Sequence, residues 1–136
     1  MPGVFAILRF WSKIDRMKNE ELKISEMLTC QYELWEKYKD VWPPIEPVDA
    51  RNSLLWLVEE LGEVIAIIKK RGEKDIVKDP SLKEKFTEEL VDVFMYFLDV
   101  LARYEISGED FSDAFRKKHA YNMLRDFRKQ HKEYLA

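Results

Sequence analysis

Between Leu90 and Leu101 every residue is apolar or aromatic except Asp92 and Asp99. A stretch this dense predicts a helix that is apolar on nearly all sides and therefore buried. Asp92 and Asp99 lie seven residues apart, close to the face that also carries Glu89, so the one polar stripe of this helix is acidic. An ionised carboxylate in such surroundings is very costly unless it is paired or bound to a metal. That requirement falls on Asp92 in particular.

The rest of the chain agrees with helices. Apolar residues recur at helical spacing, and no sustained alternation of period two is bounded by turn residues. The fold class expected is all-α. A first helix is predicted from about Glu20 to Val41, with Ile24, Met27, Leu28, Leu34, Trp35 and Tyr38 as its apolar stripe and Trp42-Pro43-Pro44 as its stop. A proline-rich connector runs through Pro47. Asp49 is expected to cap a second helix that extends to about Arg71, where Gly72 can take the left-handed terminal conformation. Gly72 to Asp79 reads as a loop. Asp79-Pro80-Ser81 opens a third helix that ends near Tyr104, with Pro80 tolerated in its first turn. Ser107-Gly108 breaks the chain again, and a fourth helix from about Glu109 carries Phe111, Phe115, Leu124 and Phe127 on its apolar side before a polar tail.

Composition sets the outer limits. With 136 residues, 46% hydrophobic and 36% charged, the chain suits one domain with a real core. That domain is expected over residues 18–136. Residues 1–17 read as an N-terminal extension or arm, since Met17 ahead of Lys18-Asn19-Glu20-Glu21 is a plausible start, and the apolar residues of the arm could dock on a partner subunit. Val4 to Leu8 is interrupted by Arg9 and is too short for a membrane span, and no cleavage pattern follows it. A net charge of −3 argues against stable nucleic-acid binding as the main activity. The single cysteine, Cys30, excludes a disulfide framework and a cysteine metal site, and cytoplasm is the default location.

Two short acidic groups carry the chemistry. In the second helix Glu60 and Glu63 are three apart on one face, beside Glu59, and in the third helix Glu89 and Asp92 repeat the spacing. Two such pairs on successive helices can face each other. Four clustered carboxylates repel unless something positive sits between them, and hard oxygen ligands without cysteine or histidine favour Mg²⁺ or Mn²⁺. A solvated helix face is the other reading for adjacent glutamates such as Glu59, Glu60, Glu88 and Glu89. Gly62 costs a helix roughly 1 kcal/mol relative to alanine; it points to close approach of another helix or a ligand, or to simple tight packing. His119 and His131 make no Glu-x-x-His pattern with the acids, which removes the usual nitrogen ligands of a di-iron bundle.

On the fourth helix Lys118, Asn122 and Arg125 follow at i, i+4 and i+7 and form one stripe. Between Arg116 and Glu133 stand seven Lys/Arg against two acids. Such a stripe can hold phosphate oxygens, with the asparagine at a sugar or base edge, or it can be a solvated surface. Trp35, Tyr38, Trp42 and Trp56 could flank a flat ring or pack the core, and Gln31, one turn before Trp35, could read a base edge.

In order and helical context, Glu59-Glu60-x-x-Glu63, then Glu89-x-x-Asp92, then Lys118-x-x-x-Asn122-x-x-Arg125 resembles the MazG-like all-α nucleoside triphosphate pyrophosphohydrolases. Relatives of that family include dimeric dUTPases, dCTP pyrophosphatases and phosphoribosyl-ATP pyrophosphohydrolases. The similarity covers about residues 20–128. It implies a four-helix bundle-like fold assembled as a homodimer or homotetramer. It also implies hydrolysis of (deoxy)nucleoside triphosphates to the monophosphate and pyrophosphate, a house-cleaning of the nucleotide pool. Glu60, Glu63, Glu89 and Asp92 would hold Mg²⁺, Glu59 is the candidate general base or an outer residue, and Lys118, Asn122 and Arg125 would bind the triphosphate. Gln31, Trp35 and Trp56 are the candidate base-binding residues. The competing readings are phosphoribosyl-ATP hydrolysis and a non-catalytic helical interaction module in which the acidic and basic stripes pair across an interface.

Overall fold

The computed structural model describes residues 20–135, so the expected N-terminal extension lies outside the described residues. Among the described residues there are six α-helices, one 3₁₀ turn and no strand, and the chain is all-α. No helix among them is long and apolar enough to cross a membrane.

Helix α1 spans Ile24–Tyr38 and is shorter at both ends than the apolar pattern suggested. Its start is fixed by Glu26, whose carboxylate accepts the Lys23 N–H at 2.7 Å. Its end comes ahead of the prolines: the N–H groups of Val41 and Trp42 both return to the Tyr38 carbonyl, at 3.0 and 2.9 Å, and the residue before Pro43 is barred from continuing a helix. A 3₁₀ turn, Pro47–Asp49, then leads into α2, Ala50–Arg71. Asp49 stands at the cap position but makes no cap hydrogen bond. Its carboxylate lies instead 3.9 Å from Nη1 of Arg103.

Gly72 ends α2 with φ +79° and ψ 158°, a conformation open to glycine but outside the left-handed helical region that the sequence led one to expect. Nor is Gly72 to Asp79 a loop. Helix α3, Glu73–Lys78, occupies it, because Ile76 is buried and pins this short turn of helix against the next one. That next helix, α4, spans Pro80–Arg103, and Asp79 caps it by accepting the N–H groups of Ser81 and Leu82 at 3.0 and 3.3 Å. Its C-terminus is closed by Glu105 at φ +55°, with Ile106 N–H bonded back to the Leu101 carbonyl at 2.9 Å. The chain breaker is therefore a glutamate in a left-handed position, ahead of the Ser107-Gly108 pair.

Ser107 and Gly108 instead begin helix α5, Gly108–Leu124: Ser107 Oγ accepts the Asp110 N–H at 3.1 Å. Gly108 is there for space, since a Cβ on it would sit 2.6 Å from the Ser25 backbone nitrogen. The expected single fourth helix is interrupted. Arg125 is extended, at φ −77° and ψ 138°, and Asp126 restarts the chain by accepting the Lys129 N–H at 3.0 Å, giving α6, Phe127–Leu135.

The long antiparallel helices α2 and α4 make the principal packing contact, with α1 on α4 and α5 on α1. Leu28, Leu98, Leu101 and Ala102 are the buried cluster, with Phe97 edge-on to Phe111 at 5.4 Å. This core encloses only the C-terminal part of α4. Leu90, Val91 and Met95 are 41–44% exposed, contrary to the burial expected of so apolar a helix, because no element among the described residues covers that side. The same holds for the apolar side assigned to the fourth helix: Phe111 is half-buried, whereas Phe115 and Leu124 are 67% and 87% exposed, and Phe127 belongs to α6.

Candidate active site

The α2/α4 pairing brings the two acidic groups together. One carboxylate oxygen from each of Glu60, Glu89 and Asp92 lies within 4.8 Å of the others, a spacing suited to a shared cation. Glu60 and Glu89 are half-buried and Asp92 is exposed. The burial expected of Asp92 is thus absent, and the case for a cation there rests on convergence of charge. That convergence is felt by Glu60: partial desolvation, then the charges of Asp92 and Glu89, then those of Glu59 and Glu63, push its carboxyl above the ordinary carboxylate range. Glu59 and Glu63 are both exposed and stand outside the convergent group. The fourth ligand expected at Glu63 is not part of the cluster. The donor set is three oxygens with no nitrogen or sulfur among them, which fits a hard divalent cation.

Beside the acids opens a cavity of about 560 Å³, within the range of small-molecule sites. Its walls include Trp35, Trp42, Trp56 and Tyr96, and Glu60 and Asp92 belong to its lining. Trp56 and Tyr96 stack across the α2/α4 seam with centroids 6.5 Å apart and planes 19° apart. Burial first, and then the charge of Glu60, raise the Tyr96 phenol above its usual range. Gln31 and Trp35 line the cavity as expected, and both also hold the scaffold: Gln31 Nε2 donates to the Met95 carbonyl at 3.0 Å and Trp35 Nε1 to the Pro43 carbonyl at 2.9 Å.

The opposite part of the lining is a polar knot that sequence reading missed. Arg103 is buried, with a side chain 7% exposed. Its Nε donates to Asp99 Oδ2 at 2.9 Å and to Ser53 Oγ at 3.2 Å, its Nη1 donates to the Pro44 carbonyl, and Ser53 Oγ donates to Asp99. Asp99 therefore neutralises an arginine and is not part of an acidic stripe. The i,i+4 spacing of Asp99 and Arg103 was the available signal, hidden by the apolar density around it.

Lys118, Asn122 and Arg125 line no part of this cavity. Helix α5 packs on α1, and the extended backbone at Arg125 takes that residue off the helical stripe. Its guanidinium lies over Tyr121 and Phe127, 5.7 and 4.7 Å from the ring centroids, and Nη2 donates to Gln130 at 2.8 Å. Arg125 Nε and Asn122 Oδ1 are buried atoms with no hydrogen-bond partner among the described residues. The structure thus joins the acids to the aromatic cavity and leaves the three basic-stripe residues apart from both.

No family model matches the chain, and neither curated proteins nor solved structures give a match.

Proposed function

We propose that the chain is a Mg²⁺-dependent nucleoside triphosphate pyrophosphohydrolase of the MazG-like kind, four-helix bundle-like in its long helices, cytoplasmic and working as a homo-oligomer. The observation that carries this reading is the convergence of Glu60, Glu89 and Asp92 at a cavity walled by aromatic rings. A flat base fits between such rings, and a polyphosphate needs a cation held by acids next to them. Glu60, Glu89 and Asp92 would hold the cation, with Mn²⁺ as a substitute for Mg²⁺. When bound, it supplies neutralisation of phosphate charge and acidifies water.

The residues of the chain do the rest. Trp56, stacked with Tyr96, offers a face for the base, and Gln31, already anchored to Met95, has an amide oxygen left for a base edge. Glu59, exposed next to Glu60, would accept a proton from the attacking water. Water attack on the α-phosphorus releases pyrophosphate and leaves the nucleoside monophosphate.

The test is pyrophosphate release from a panel of ribo- and deoxyribonucleoside triphosphates and phosphoribosyl-ATP, with and without Mg²⁺, for wild type, Glu60→Gln and Asp92→Asn. Metal-dependent release that both substitutions abolish supports the reading, and the preferred member of the panel separates the free-nucleotide from the phosphoribosyl-ATP activity. The exposed apolar faces of α2 and α4 favour the second reading, a non-catalytic interaction module. Absence of turnover across the panel, together with greater stability of both variants, would install that module in place of the enzyme.

A further inference from the structure

We propose that the end of the cavity away from the acidic cluster selects nucleobases that carry an exocyclic amino group, cytosine or adenine, over their oxo counterparts, uracil or hypoxanthine. Asp99 is the residue that decides between them. The inference rests on the pyrophosphohydrolase reading and adds to it the class of base.

The two long helices set the distances. They run antiparallel and their cavity residues meet in levels: Glu60 approaches Asp92, Trp56 stacks with Tyr96, and Ser53 bonds to Asp99. All six line the same cavity. Ser53 stands seven residues before Glu60 on α2, and Asp99 stands seven after Asp92 on α4. At about 1.5 Å of rise per residue, the last level lies about 10 Å from the acids on either helix. A phosphate held at the acids and a ring laid on the aromatic pair therefore bring the far edge of that ring to Asp99.

That level holds more fixed acceptors than it has donors for. Asp99 engages Oδ2 with Arg103 Nε, at 2.9 Å, and with the Ser53 hydroxyl, and these two bonds hold the carboxylate in place. Its Oδ1 receives no hydrogen bond among the described residues. Asp49, a second carboxylate of the lining, lies 3.9 Å from Arg103 Nη1, outside hydrogen-bond reach. Two carboxylates thus lean on one guanidinium, and the level keeps one negative charge in excess. Arg103 itself is 6% exposed, and its Nη2 has no acceptor among the described residues. Any ring that displaces water here must donate to Asp99 Oδ1, since an acceptor left dry and unmet is costly.

Nucleobases divide on this point. Cytosine and adenine present an amino group with two hydrogens beside a ring nitrogen that accepts. One hydrogen can go to Asp99 Oδ1 and the other toward Asp49, while the ring nitrogen accepts from Arg103 Nη2 or from the Asn52 carboxamide, which also lines the cavity. Uracil and hypoxanthine put a carbonyl oxygen where the amine stands. In the same seat its lone pairs oppose two carboxylates, and any other seat offers a single ring N–H next to a carbonyl. The amino form of a nucleotide is hydrolysed and its deamination product is spared.

The experiment uses the full chain with Mg²⁺ and two matched pairs, dCTP with dUTP and dATP with dITP. Pyrophosphate release gives kcat/KM for wild type, Asp99→Asn and Asp49→Asn, with helical circular dichroism as the check on folding. Wild type is expected to favour the amino member of each pair by about tenfold or more. Asp99→Asn keeps an oxygen for Arg103 and offers the ring an N–H in place of Oδ1, so the preference should vanish or reverse, chiefly through KM. Equal rates within both pairs, a preference for the oxo members, or a preference that survives Asp99→Asn in a folded protein would overturn the inference and leave the pyrophosphohydrolase reading standing. Should Asp99→Asn lose its helical signal, Asp49→Asn takes its place: a lowered preference supports the carboxylate edge and an unchanged one overturns it. No metal-dependent release from any of the four nucleotides is the failure of the enzymatic reading. Thermal shift by dCMP and dUMP in the presence of a chelator then decides what is left. Stabilisation by dCMP alone would keep an amino-selective cavity; stabilisation by both equally, or by neither, would overturn it.

Discussion

Arg103 donates from Nε to Asp99 Oδ2 at 2.9 Å, one helical turn away on α4, and the same guanidinium reaches the Pro44 carbonyl on the connector before α2. One buried side chain thereby ties α4, α2 through Ser53, and the proline segment into a single knot. Removing one member of a buried ion pair leaves the other without its partner, at a cost of about 3–5 kcal/mol. Arg103→Met is expected to lower stability in urea unfolding toward the low end of that range, because Asp99 keeps some access to water. A loss below about 1 kcal/mol would show that the knot is incidental.

The acidic cluster predicts an unusual pH dependence. The carboxyl of Glu60 is raised above its ordinary value of 4.5 by desolvation first and by Asp92 and Glu89 next. A folded-state pKa above the unfolded one means that the fold favours the protonated acid, so this contribution to stability is present at low pH and is lost as pH rises through the raised value. Acidification from neutrality is expected to raise the melting temperature until Glu60 is protonated. Asp110 acts in the opposite sense and lower down. Its side-chain and backbone hydrogen bonds with Ser107 hold its carboxyl below 3.8, so its contribution is lost only as pH falls through that lowered value. Glu60→Gln should raise the melting temperature at pH 7 and flatten the upper window; a melting temperature that falls steadily from pH 7 downward would remove the cluster as a site of repulsion.

Divalent cations should act on the same groups. At pH 7, Mg²⁺ or Mn²⁺ is expected to stabilise wild type in proportion to the logarithm of its concentration above the dissociation constant, and Glu60→Gln or Asp92→Asn should abolish the effect. Glu63→Gln should retain most of it, since Glu63 stands outside the convergent group. Thermal shift with a chelator as control reads this without any substrate.

The two ends of the α4–α5 link make a contrasting pair of stability predictions. Glu105 is held at φ +55°, where a side chain costs about 1 kcal/mol, and Glu105→Gly should gain up to that amount. Three residues on, Gly108→Ala should lose about 1–3 kcal/mol, because the new methyl group would meet Ser25 backbone atoms at 2.6 and 2.9 Å. Equal and small effects at the two positions would mean that the link relaxes freely.

If the aromatic cavity receives a base, Trp56→Ala should raise KM about tenfold, equivalent to roughly 1.4 kcal/mol, while leaving metal-dependent stabilisation intact. A change confined to kcat would place the ring elsewhere in the reaction cycle.

Much of this architecture could be read along the chain because its signals are local. Pro80 after Asp79 marks a cap and a first turn, and α4 begins there; Arg71-Gly72 marks the end of α2 in the same way. The Glu60–Asp92 approach could be inferred from two i,i+3 pairs on successive helices. Features set by distant partners could not. Whether residues 73–78 coil into a helix depends on Ile76 finding cover on α4, and whether Leu90, Val91 and Met95 are buried depends on how many helices surround them. The break at Arg125 has neither glycine nor proline to announce it, only Asp126 as the cap of the helix that follows. The role of Arg103 is not legible in the sequence because a cation at the end of a helix ordinarily serves solvent and dipole, and nothing nearby in sequence reveals that Ser53 and Pro44 enclose it.

The connector between α1 and α2 is fastened at two successive carbonyls, Pro43 by Trp35 Nε1 and Pro44 by Arg103. Its tolerance to changes in length is therefore uneven. Residues added around Lys39 and Asp40, upstream of both fastenings, can bulge outward, whereas a single residue added between Pro44 and Asp49 would pull the start of α2 out of register with the knot. Homologous chains, where they differ in length here, should differ before the first proline and not after the second.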